Sequence, residues 1–110
     1  MENQNEQKSS GDVFIYRGYE VSVLKKDVDD KTPSWNSVDA ITGKRIIFMI
    51  EDIPKELVVP ILEHEVYEIE HNLDHESVIA VGRQKAKELG VLESFLSFEQ
   101  QWEEIKKNHS

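Results

Sequence analysis

The sequence predicts an α+β domain: an antiparallel sheet of three or four strands in the N-terminal half, followed by three helices packed on it. Three observations point there. Up to Ile50 the apolar residues come in short runs rich in Val, Ile, Phe and Tyr, separated by Arg17-Gly18, Pro33 and Gly43, which is strand punctuation. From Pro60 onward they recur instead at spacings of three and four, the period of a helix with one buried stripe. At 110 residues the chain is the size of one domain with one modest core.

Residues 1–11, M-E-N-Q-N-E-Q-K-S-S-G, are polar throughout and read as a disordered tail rather than a signal peptide, leaving residues 12–110 as the domain. V-F-I-Y and Y-E-V-S-V-L flank Arg17-Gly18, so the first two strands form a tight hairpin. The following K-K-D-V-D-D-K-T-P-S is a charged loop. It lacks the ligand spacing, glycine and distal glutamate of an EF-hand loop. Weak alternation from Trp35 to Ile41, then Thr42-Gly43-Lys44, predicts a second hairpin into R-I-I-F-M-I, the most apolar run and the candidate central strand.

Two helix starts are open. Asp52 can cap a turn over I-P-K-E-L, with a fresh helix at Pro60, or one helix runs through and kinks there. Leu62, Val66, Ile69 and Leu73 form its apolar stripe. Asn72 tolerates the left-handed conformation and Asp74 is a good N-cap, so a break belongs at 72–74. A second helix runs from about His75 to Leu89, with Val78, Gly82, Ala86 and Leu89 on one side, and Gly90 stops it. The last begins near Glu93 or Ser94 and carries Phe95, Phe98, Trp102 and Ile105 on one stripe, a spacing that belongs to a core more readily than to a cofactor site.

Charge and composition exclude several functions. A formal charge of −9 repels nucleic acid and anionic membrane surfaces. Without cysteine there is neither a disulfide framework nor a thiolate metal site, so a zinc site must use His and carboxylate. No stretch approaches membrane-spanning length. The expectation is a soluble, cytoplasmic protein.

Three of the four histidines lie between His64 and His75, interleaved with carboxylates. On a continuous helix His64, Glu68, His71 and His75 fall within an arc of about 60°. H-E-V-Y-E, His64 to Glu68, resembles the H-E-x-x-H helix of zincin metalloproteases with glutamate in place of the second histidine. Residues at i and i+4 share a helix face and can bind one metal, while the i+1 glutamate reaches a metal-bound water. The resemblance implies a minimal zincin-like, peptidase-like hydrolase, active or degenerate, with zinc held by His64 and Glu68 and with Glu65 as general base. In the metzincin branch a further ligand arrives near the tenth residue after the first histidine, which is Asp74 here, with His75 beside it. His71 stands where that branch has glycine, and both methionines, Met1 and Met49, precede the helix.

On a straight helix His64 and His75 are about 16 Å apart, so a shared ion requires the chain to fold back after Leu73. Glu76, Glu88 and Glu93 are further ligand candidates from whatever covers this face. The competing expectation is a non-enzymatic acidic interaction protein, a homo-oligomer or the binder of a protein or peptide partner. It would use the last helix with its aromatic stripe or a pH-responsive His/Glu surface.

Overall fold

The computed structural model describes residues 9–27, 30–73 and 75–108. They form four strands and three helices: β1 (Ser9–Tyr16), β2 (Tyr19–Leu24), β3 (Ser34–Val38), β4 (Arg45–Ile50), α1 (Val58–His71), α2 (His75–Glu88) and α3 (Leu92–Asn108). Two compact units divide the chain, residues 1–53 with the sheet and residues 54–110 with the helices.

In the first unit the strand order is β1-β2-β4-β3. R-I-I-F-M-I occupies an inner position, as its continuous hydrophobicity requires. The β1–β2 hairpin turns on Arg17 and Gly18, both at positive φ (51° and 87°), the conformation a two-residue hairpin turn imposes. β1 starts at Ser9, three residues before the sequence-based expectation of Asp12. The second hairpin is tied by Asp39, whose carboxylate accepts the backbone N–H groups of Ile41 (2.8 Å) and Thr42 (3.3 Å). Those two bonds hold its pKa below the ordinary aspartate value of 3.8.

The sheet is mixed, which corrects the expectation of an antiparallel one: β1–β2 and β3–β4 are antiparallel, but β2–β4 is parallel. The cause is connectivity. The loop after β2 carries β3 to the outer edge, and the hairpin then returns β4 into the gap, antiparallel to β3 and so parallel to β2.

Cross-strand partners share a face, and the two faces differ. One carries Val21, Val23, Ile47 and Met49, buried to between 0% and 7% exposure. The other carries half-buried Ile46 and the stacked pair Trp35 and Phe48, ring centroids 5.6 Å apart, together with exposed Val13 and Ile15.

In the second unit a 3₁₀ turn, Lys55–Leu57, runs directly into α1. Pro60 falls in the first turn of that helix, where a missing N–H costs nothing. α1 ends at His71, and Asn72 adopts the left-handed conformation (φ 52°, ψ 44°), its N–H donating to the Glu68 carbonyl. The expected break is therefore present at Asn72 and Leu73, and Asp74 lies outside the described residues. α2 lays Val78, Gly82 and Ala86 inward. A methyl group at Gly82 would stand 3.0 Å from Phe95 Cζ and 3.3 Å from the Pro60 carbonyl oxygen, so glycine here permits the close approach of α1 and α3 to α2. Leu89, expected on the same side, is exposed because it lies past the end of the helix in the turn at Gly90. Phe95, Phe98 and Trp102 are buried, with Phe98 and Trp102 edge to face at 6.4 Å, and Ile105 is half-buried. Arg83 and Glu99 add an exposed ion pair between α2 and α3 at 3.0 Å, worth about 1 kcal/mol or less. No described helix is long and apolar enough to cross a membrane.

Candidate metal centre

Amphipathicity leaves open whether the His/Glu face of α1 turns away from the core or is covered. In its first half that face is covered. From Pro60 to Val66 every residue except half-buried Glu63 is buried. The inward set includes His64 at 8% exposure and Glu65 at 3%, alongside Leu62 and Val66 at 1%. The second half of the helix emerges: Ile69 is half-buried, and Glu70 and His71 are exposed. Leu73, expected in the apolar stripe, is 42% exposed because the helix has already ended.

Helical spacing brings three side chains together. His64, Glu65 and Glu68 each offer one ligand atom, and these atoms lie within 4.8 Å of one another. His64 Nε2 is 3.7 Å from Glu68 Oε2, the i,i+4 contact of a single helix face. Glu65 lies one residue on, about 100° around the axis, and its side chain is long enough to return toward the same point.

Among the described residues this is the group of His and carboxylate side chains placed to hold an ion. His71 is outside it, exposed, with its ring 4.0 Å from that of Tyr67. Glu88 pairs with Lys85 at 3.5 Å, and Glu93 is exposed. Asp74 and the side chains of His75 and Glu76 lie outside the described residues. The backbone at His75 begins α2, seven residues and so about two helical turns from Gly82, the position that meets α1 at Pro60.

The sequence pattern singled out the helix and three members of the cluster. What it left open is their burial, for which a signal was present: Pro60, Ile61, Leu62 and Val66 together span more than one stripe, so this half of the helix needs neighbours on more than one side.

No protein-family model, curated protein or solved structure matches this chain.

Proposed function

We propose that this chain is a minimal zincin-like metal-dependent hydrolase, peptidase-like in its chemistry, with His64 and Glu68 as zinc ligands and Glu65 as general base. What supports the reading is the convergence of one imidazole nitrogen and two carboxylate oxygens within 4.8 Å of one another, two of the three side chains being buried. The donor set suits zinc, which takes His nitrogen and carboxylate oxygen at about 2.0–2.2 Å. Tetrahedral ligands at that length are about 3.4 Å apart, so side-chain torsions alone could close the group around an ion. Charge favours the same conclusion. Two carboxylate oxygens at 4.8 Å or less repel by about 3.5 kcal/mol or more at an effective dielectric of 20, and a divalent cation turns that repulsion into attraction.

When bound, zinc supplies a Lewis acid that brings the pKa of a water ligand to about 7. The chain's own residues do the rest. His64 must offer a neutral ring nitrogen, so a proton competes with the metal for it. Glu68 contributes a negative ligand from the same face, one turn on. Glu65, held by the helix beside both, accepts the proton from water and can return it to a leaving amine. A third ligand would come from the segment after the helix, where Asp74 and His75 are the candidates.

The test is zinc content of untagged protein, followed by hydrolysis of a peptide library. Near-stoichiometric zinc in the wild type, lost in His64→Ala and in Glu68→Ala, supports the metal site. Zinc still bound by Glu65→Gln, with weaker affinity and with hydrolysis abolished, supports the base. No binding at micromolar free zinc removes the proposal.

A second reading, a non-enzymatic acidic interaction protein, draws support from exposed Val13, Phe14 and Ile15 on β1. The aromatic helix contributes little to it, because Phe95, Phe98 and Trp102 are buried. A metal-free protein that still associates would favour this reading.

A further inference from the structure

We propose that β1 is a self-association edge: two copies of this chain pair their β1 strands antiparallel about Phe14, joining the two sheets into one. β1 is an outer strand of the sheet, and Val13, Phe14 and Ile15 on it are 56%, 38% and 67% exposed. Outer strands normally carry lysine, proline or a bulge to prevent such pairing. The run Val13–Tyr16 contains neither residue, and the irregularity in its pairing with β2 lies earlier, between Ser9 and Val13.

The register follows from the hairpin. Tyr16 faces Tyr19 across the two-residue turn, a pair that exchanges both backbone hydrogen bonds in this kind of hairpin. Alternation then directs the N–H and C=O of Phe14 toward β2 and those of Val13 and Ile15 toward the open edge. An antiparallel copy centred on Phe14 sets each Val13 opposite the partner's Ile15, so outward-directed groups meet outward-directed groups. Phe14 meets the partner's Phe14 as the non-hydrogen-bonded pair, with Cα atoms about 4.5 Å apart.

The run is also self-complementary in side chains and charge. β-branched residues flank Phe14 on either side, and Val–Ile cross-strand pairs suit a pleated surface. Asp12 and Arg17 bracket the run, and in this register Asp12 stands opposite the partner's Tyr16, the residue next to Arg17, so no like charges meet at either end of the seam. The seam itself is uncharged and escapes the repulsion that the net −9 imposes elsewhere. A second copy is thus the occupant that this strand fits.

Sedimentation velocity on the full chain from about 1 to 200 µM reads the association directly, in a range where weak protein pairs dissociate. The mass should move from 12.8 kDa toward twice that value. Ile15→Lys should weaken association by about tenfold or more, since lysine on an outer strand opposes edge-to-edge pairing. The chain has no cysteine, which allows a test of register. Phe14→Cys should give a disulfide-linked dimer under mild oxidation, because about 4.5 Å between Cα atoms is within the span of a disulfide. Val13→Cys and Ile15→Cys should link far more slowly, each facing a different residue. Circular dichroism confirms that each variant is folded. A mass of one chain at every concentration, a dimer indifferent to Ile15→Lys, or equal cross-linking at all three positions would each overturn the proposal.

Discussion

Replacing Glu65 by glutamine separates a crowded acidic cluster from one that holds a cation, because the sign of the stability change depends on which it is. In the metal-free protein Glu65 is a carboxylate at 3% exposure that shares a 4.8 Å neighbourhood with Glu68. The amide removes a repulsion of about 3.5 kcal/mol at an effective dielectric of 20 and lowers the cost of burial. Against these stand the attraction of His64, which faces Glu68 at 3.7 Å, and the loss of the other interactions that Glu65 makes. The expected outcome in chelator is a net gain smaller than that repulsion, read as a rise in Tm of about 4 °C per kcal/mol at this chain length. Saturating zinc reverses the comparison. The wild type should gain about 2.7 kcal/mol at a hundredfold excess over Kd, and Glu65→Gln less, since one negative charge beside the ion is gone. Thermal melts of both proteins in chelator and in zinc give all four numbers. A Glu65→Gln protein that is destabilised in chelator would refute the charge-crowding argument, and an identical response of both proteins to zinc would detach Glu65 from the ion.

Two other expectations rest on local geometry. Gly82→Ala should destabilise the helical unit by about 1 kcal/mol: a helix-propensity gain of nearly that size is outweighed by an overpacking cost of about 1–3 kcal/mol, because the added carbon meets the Pro60 carbonyl oxygen at 3.3 Å. Urea unfolding measures it, and a variant more stable than wild type would show that the contact yields freely. Asp39→Ala should lower stability at neutral pH by removing the carboxylate that accepts the Ile41 and Thr42 N–H groups. The folded-state pKa of Asp39 is depressed, so its contribution is present above the unfolded value of 3.8 and is lost as pH falls through the folded value. Urea midpoints of the two proteins should therefore differ at neutral pH and converge in acid, and a constant difference down through that range would contradict the assignment.

Much of this architecture is legible from residues alone, because local chemistry settles it. Arg17-Gly18 turns a hairpin, Asn72 ends α1 in the left-handed conformation and Gly90 follows α2 at φ 77°. The i,i+4 spacing of His64 and Glu68 places them on one helix face whatever surrounds that helix. Periodicity likewise gathered Phe95, Phe98 and Trp102 on one stripe of α3, leaving the choice between core and docking surface to the tertiary structure. Tertiary structure decided what spacing cannot. Strand direction depends on where the loop after β2 carries the chain, and no residue pattern distinguishes a parallel β2–β4 pair from an antiparallel one. Burial of His64 and Glu65 depends on how many sides of α1 have neighbours, whereas periodicity ranks only one face against its opposite. Exposure of Val13 and Ile15 depends on what covers their face of the sheet and on β1 being an outer strand among the described residues, since β propensity describes a residue's fit to a pleated surface without saying which side of the sheet remains open.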